Sequence, residues 1–291
     1  MHAKSPGERI FDALNAVVLT LFCLLVIVPF VHLLAASFSS KDALIHNLVT
    51  FWPVDWTLDN YRLVWYNQIF WNAFRISVLV TVAGTAINMY LTLLTAYPLA
   101  KTALKGRRLV LLAIVFTMIF SVPLIPMYLI VKSVGMVNTL WAIMIPNAIG
   151  AFNLILCITF FRGLPEELSD AAKVDGMREH SILWRIFMPL SLPIVMTLTL
   201  FYAVAHWNNY MGPLFYITDP AIKPLQLYLY AVLSQFNTQD SLLNLSESID
   251  QFSPLGIQMA TVGVATVPIL LIYPFIQKHF IRGALLGSVK G

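Results

Sequence analysis

From Leu14 to Ala36 the sequence runs for 23 residues without a single Asp, Glu, Lys or Arg. A helix of that length spans the ~30 Å hydrocarbon core of a bilayer, and little else tolerates so long an apolar run. Five more stretches approach the same length: Ile76 to Ala100, Leu109 to Val131, Leu140 to Phe161, Leu190 to Trp207 and Ile257 to Ile276. A β-barrel would show short alternating segments instead, so the pattern predicts an all-α membrane protein of six spans. Composition agrees: 59% of the residues are hydrophobic and 11% charged, which is too little polar surface for a soluble domain of 291 residues. Lys4 and Arg9 precede the first run and small residues follow it, as in a signal peptide. At 23 residues, however, the run exceeds the usual ~7 to 15 residue apolar region of such a peptide, and it reads as a retained span.

The basic residues orient the spans. With the N-terminus inside, the inside segments hold Lys4 and Arg9; Lys101, Lys105, Arg107 and Arg108; Arg162, Lys173, Arg178 and Arg185; and Lys278, Arg282 and Lys290, thirteen of the eighteen Lys and Arg. The outside segments keep Lys41, Arg62, Arg75, Lys132 and Lys223, although two of them are much the longest. The positive-inside rule then places both termini in the cytoplasm. The formal charge of +4 is scattered and forms no stripe of the kind that binds nucleic acid.

Several chemistries lack their residues. All fourteen carboxylates fall in loops, at termini or at a span edge, which counts against a proton-coupled secondary transporter, the main competing class. His32 and His206 are the only histidines in the spans, and they read as membrane-interface residues rather than a proton relay. No glycine is followed by Lys, so there is no phosphate-cradling loop and ATP cannot bind here by that motif. Cys23 and Cys157 each lie inside an apolar run and read as packing residues, with no metal cluster. Each span carries a proline, from Pro29 to Pro268 and Pro274, which a membrane bundle accommodates as kinks.

The loop between the fourth and fifth stretches is unlike an ordinary connection. It reads Gly163-Leu164-Pro165-Glu166-Glu167-Leu168-Ser169-Asp170-Ala171-Ala172-Lys173-Val174-Asp175-Gly176. Pro in the first turn, two Glu at the positive end of the dipole, Lys in the last turn and Gly at the end predict a short capped helix. Ala171 and Ala172 beside Leu168 and Val174 are expected to leave a low-relief apolar surface suited to another protein's groove.

This loop resembles the EAA loop of ABC importer permeases: an acidic residue, two alanines, a Gly four residues on, then Ile and Pro. Asp170, Ala171, Ala172, Gly176, Ile186 and Pro189 fill those places. Asp stands where Glu is usual, and Met188 where Leu is common. Two further stretches look like the maltose-type carbohydrate permeases: Pro53 with Thr57-Leu58-Asp59-Asn60-Tyr61, and Trp207-Asn208-Asn209-Tyr210 followed by Pro213.

The resemblance implies one permease domain over residues 1–291, the transmembrane half of an ATP-driven sugar importer in the bacterial plasma (inner) membrane. It implies a second permease subunit, as a heterodimer, and two cytoplasmic ABC ATPases that carry ATP and Mg²⁺, with no cofactor on this chain and no catalysis by it. An external solute-binding protein would deliver a sugar or oligosaccharide, an acidic uronate oligomer among the possibilities. Glu166, Glu167, Leu168, Asp170, Ala171, Ala172, Asp175, Gly176, Ile186 and Pro189 would couple to the ATPase. Trp207, Asn208, Asn209, Tyr210 and Arg75 are the pathway candidates, with Arg75 either meeting a carboxylate or snorkelling to the headgroups. Acids and aromatics after Asn208 (Phe215, Tyr216, Asp219, Tyr228, Tyr230, Phe236, Asp240, Glu247, Asp250) suggest either an entrance lining or a docking surface.

Overall fold

A computed structural model describes residues 6–120, 122–235 and 253–288, and among them every regular element is helical. The chain divides into two compact units: residues up to Phe70 with Ala231–Pro268, and Trp71–Tyr230 with the residues from Ile269 onward.

In the first unit α1 (Pro6–Ser37) is followed by the short α2 (Lys41–Ile45) and α3 (Asp59–Tyr66). The apolar side chains of α1 are exposed along almost its whole length, Leu25 to 71%, so lipid or protein must cover them. Only its end packs, where Ala35 and Ala36 join Ala43, Leu44 and Val49 in a small core. Asn60, buried, donates from Nδ2 to the carbonyls of Ser37 and Ser39, both at 3.1 Å, and so satisfies carbonyls that the end of α1 leaves open.

The second unit opens on α4 (Gln68–Ala100), which is followed by α5 (Arg107–Ile119), α6 (Leu124–Ser133), α7 (Trp141–Met144) and α8 (Ala151–Arg162). Then come α9 (Glu167–Val174), α10 (Glu179–Ile182), a wide turn over Leu183–Phe187, α11 (Met188–Leu190) and α12 (Leu192–Trp207). After α13 (Met211–Tyr216) and α14 (Leu225–Gln235), α15 (Pro254–Ser288) ends the described chain. The main core of this unit joins Leu93, Ala96 and Tyr97 of α4 to Cys157, Ile158 and Phe161 of α8, Leu183, Phe187, and Leu198 and Tyr202 of α12.

Among the described residues three helices are long and apolar enough to cross a membrane, and up to five spans result if each of two bent pairs counts as one. Three of the expected runs are not single straight helices. Between α5 and α6 the chain carries Pro123, which begins α6 as its N-cap. Within residues 140–161 only α8 is of any length, and its 12 residues cover about 18 Å, short of a full crossing. Pro146 explains that break, because it lacks an N–H and its ring meets the carbonyl four residues back. The fifth run bends by 89° between Glu179–Leu190 and Leu192–Trp207, with Pro189 on one side of the corner and Pro193 on the other.

Candidate functional site

Helix α9 is built by the local signals read above. Glu166 is its N-cap, Glu167 and Asp170 lie in the first turn and Lys173 in the last. The Met177 amide donates to the Ala172 carbonyl and the Gly176 amide to that of Lys173, both at 2.9 Å. That pair of bonds requires a left-handed residue, which Gly176 supplies at φ +78°.

The faces of α9 are sorted by packing. Ser169 and Ala172 are buried, and Ala172 joins the core beside Phe161, Leu183 and Phe187. The outer face carries Glu167, Leu168, Ala171, Val174 and Asp175, with Val174 at 88% exposure. The expected surface is thus present in part: Ala171 and Val174 face out, while Ala172 is turned inward because the helix must rest on something. Ile186 is half-buried against the same core, and Pro189 is exposed at the corner before α12.

Sequence reasoning missed what ties α9 to the spans. Glu179, just past α9, accepts hydrogen bonds on Oε2 from the Lys101 ammonium and from the Tyr97 hydroxyl, the latter at 2.7 Å. Its Oε1 lies 3.5 Å from Lys173 Nζ, and Lys173 also pairs with Asp170 at 3.8 Å. Partial burial pushes the Glu179 carboxyl up, but the hydrogen bonds from Lys101 and Tyr97 and the charges of Lys101 and Lys173 outweigh it and hold the group below the usual carboxylate range. Lys101 also sits 4.3 Å over the Tyr97 ring. The last turn of α9 and the end of α4 are therefore joined through one carboxylate. No spacing in the sequence links residues 97, 101 and 179.

The pathway candidates fall at the far end of α12. Trp207 meets Phe74 of α4 edge to face at 6.0 Å. Asn208 caps the helix and is exposed. Asn209 Oδ1 accepts from the Gly212 amide at 3.1 Å, and Tyr210 stacks on Tyr230 at 5.5 Å. Arg75 is exposed on α4 and, among the described residues, makes no ion pair. In the following loop Tyr216 is buried and stacks on Tyr128, and Asp219 accepts from the Ala221 amide. Phe236, Asp240, Glu247 and Asp250 lie outside the described residues. His206 packs against α4. Its ring lies half-buried against Gly84, and its Nε2 is 3.1 Å from Asn88 Nδ2.

The sequence family described as binding-protein-dependent transport system inner membrane component matches residues 93–285, a stretch holding α8, α9 and α12 entire. The chain belongs to this family. The permease is 42% identical to the polygalacturonan/rhamnogalacturonan transport system permease protein YtcP of Bacillus subtilis, over 98% of this chain and 99% of that one. It is also 42% identical to Protein LplC of the same organism, over 100% and 98% of the two chains. Its fold superposes with a TM-score of 0.90, at 29% identity and over 96% and 100% of the two chains, on a bacterial ABC transporter involved in the import of the acidic polysaccharide alginate. The permease is thus a multi-pass membrane subunit of a carbohydrate ABC importer and a transport component rather than an enzyme.

Proposed function

We propose that this permease forms half of the translocation pathway for an acidic, uronate-bearing oligosaccharide and that α9 is the element through which a cytoplasmic ATPase drives it. The observation that carries the coupling role is the sorting of α9: an inner face locked into the core by Ala172, an outer face left open at Ala171 and Val174, and a carboxylate tie to α4. A helix held this way passes a push on its outer face to the spans instead of flexing. ATP and Mg²⁺ would reside on two ATPase subunits, and an external solute-binding protein would deliver the sugar, a delivery that the family description supports. A second, different permease would complete the pathway.

The acidic substrate class is supported by the roles of two relatives, one a polygalacturonan/rhamnogalacturonan permease and the other an alginate importer. In this reading the chain crosses the bacterial plasma membrane six times, with the Pro-interrupted runs 109–131 and 140–161 each forming one crossing, both termini cytoplasmic, and α9 on the cytoplasmic face. The distribution of Lys and Arg supports that orientation.

The test is co-purification of the ATPase with the assembled importer, comparing the wild type with Ala171→Arg and Val174→Glu. Both sites are exposed, so these substitutions spare the core. Loss of ATPase with the permease pair still assembled is the expected result. Retention of ATPase and of ATP-driven uptake in both variants would move the coupling role elsewhere, and uptake independent of any ATPase would favour a secondary transporter.

A further inference from the structure

Helix α4 carries a ladder of small polar residues through a largely apolar span: Ser77, Thr81, Thr85, Asn88 and Thr92. Steps of three and four put them on one helical face. The two ends of the ladder are satisfied within the protein. Ser77 Oγ accepts from the Leu225 amide at 2.7 Å, and the Thr92 hydroxyl is 2.7 Å from that of Tyr202 on α12.

The middle is not. Among the described residues, Thr81 Oγ1, Thr85 Oγ1 and Asn88 Oδ1 are buried without a hydrogen-bond partner, as is Trp207 Nε1. Asn88 is 2% exposed and Thr85 7%. Its NH₂ group is engaged by His206, which leaves the Asn88 carbonyl oxygen as the open valence. Unpaired polar groups are costly where no water can reach, and helical threonines have a ready remedy in their own backbone. Thr117, Thr159, Thr197, Thr261 and Thr266 all take it, donating to carbonyls three or four residues back at 2.7 to 2.9 Å. Thr81 and Thr85 do not.

These four groups together offer hydroxyls that donate and accept, one amide acceptor and one indole donor, and no formal charge. That set complements the hydroxyls of a sugar ring, each of which is both donor and acceptor. We propose that Thr81, Thr85 and Asn88, with Trp207, form a hydroxyl-binding step on the oligosaccharide's path, closed in this conformation and opened when α4 and α12 part. The step reads ring hydroxyls and is indifferent to the carboxylates. The inference rests on the sugar-pathway reading above and adds the residues that hold the cargo inside the membrane.

A hydroxyl kept for cargo and a hydroxyl kept for structure respond oppositely to removal. Thr85→Val keeps the shape and deletes an unpaired polar group, so it should leave the fold as stable or more so. The experiment measures ATP-driven uptake of tetragalacturonate by the complete importer in proteoliposomes, and the melting midpoint of the same complexes, for the wild type, Thr85→Val and Thr85→Ser. The expected result is uptake at subsaturating tetragalacturonate about fivefold lower in Thr85→Val, the factor for one neutral hydrogen bond, with the midpoint unchanged or raised and with uptake retained in Thr85→Ser. Unchanged uptake in Thr85→Val, or uptake and midpoint falling together, overturns the proposal. Absence of tetragalacturonate uptake by the wild type overturns the uronate reading, and the same comparison with a neutral oligosaccharide then decides the step.

Discussion

His206 lies across Gly84 so closely that a Cβ built on the glycine would stand 2.6 Å from the imidazole Nε2. The contact lets α12 approach α4 at the level where His206 also meets Asn88 at 3.1 Å. Gly84→Ala should therefore force the ring aside and destabilise the permease by about 1–3 kcal/mol, the range for overpacking a tight contact. Thermal melting in detergent checks this. Because the clash is with one side chain, His206→Ala should recover most of the loss in the double variant, and additive losses would place the strain elsewhere.

Gly176 poses the opposite case, since a Cβ there would meet nothing within 4 Å, yet φ is +78°. Only the backbone objects to a side chain. Gly176→Ala should cost roughly 1–2 kcal/mol, and Gly176→Asn less, because Asn tolerates the left-handed region. The readout is the protection of α9 amides against hydrogen exchange, which should fall in that order.

Glu179 makes the link between α9 and α4 sensitive to acid. Its carboxyl titrates below the unfolded range near ~4.3, so its contribution is complete at neutral pH and is lost as pH falls through the depressed value. Hydrogen exchange in α9, corrected for its intrinsic pH dependence, should show protection falling in that acid window. Glu179→Gln should be less protected at neutral pH and show no such step. A step of equal size in the variant would assign the effect to another carboxylate.

Tyr202 joins three elements through one hydroxyl, which bonds the Thr92 hydroxyl at 2.7 Å and accepts from the Gly150 amide at 3.1 Å, just before α8 begins. Tyr202→Phe leaves the buried Thr92 hydroxyl and the half-buried Gly150 amide unpaired and should destabilise by about 1–3 kcal/mol. Thr92→Val in the same background should recover part of that loss, as seen by melting, since it removes one of the orphans.

The membrane-spanning class, the general position of the helices and the capped helix at Glu167–Val174 were all legible in the sequence, because each depends on local information: apolar length, proline, and cap residues within a few positions of one another. What the chain order could not reveal was which face of α9 turns inward, since Ala171 and Ala172 are chemically alike and only the core beside Phe161 and Phe187 distinguishes them. The breaks within residues 109–131 and 140–161 were half legible: the prolines were visible, but whether a membrane helix kinks or ends at a proline depends on neighbours that can take up the freed carbonyls. The Glu179 tie to Tyr97 and Lys101 and the seat of His206 on Gly84 and Asn88 join residues some eighty to more than one hundred positions apart. Contacts at that separation are set by how helices pack, so tertiary structure alone decided them.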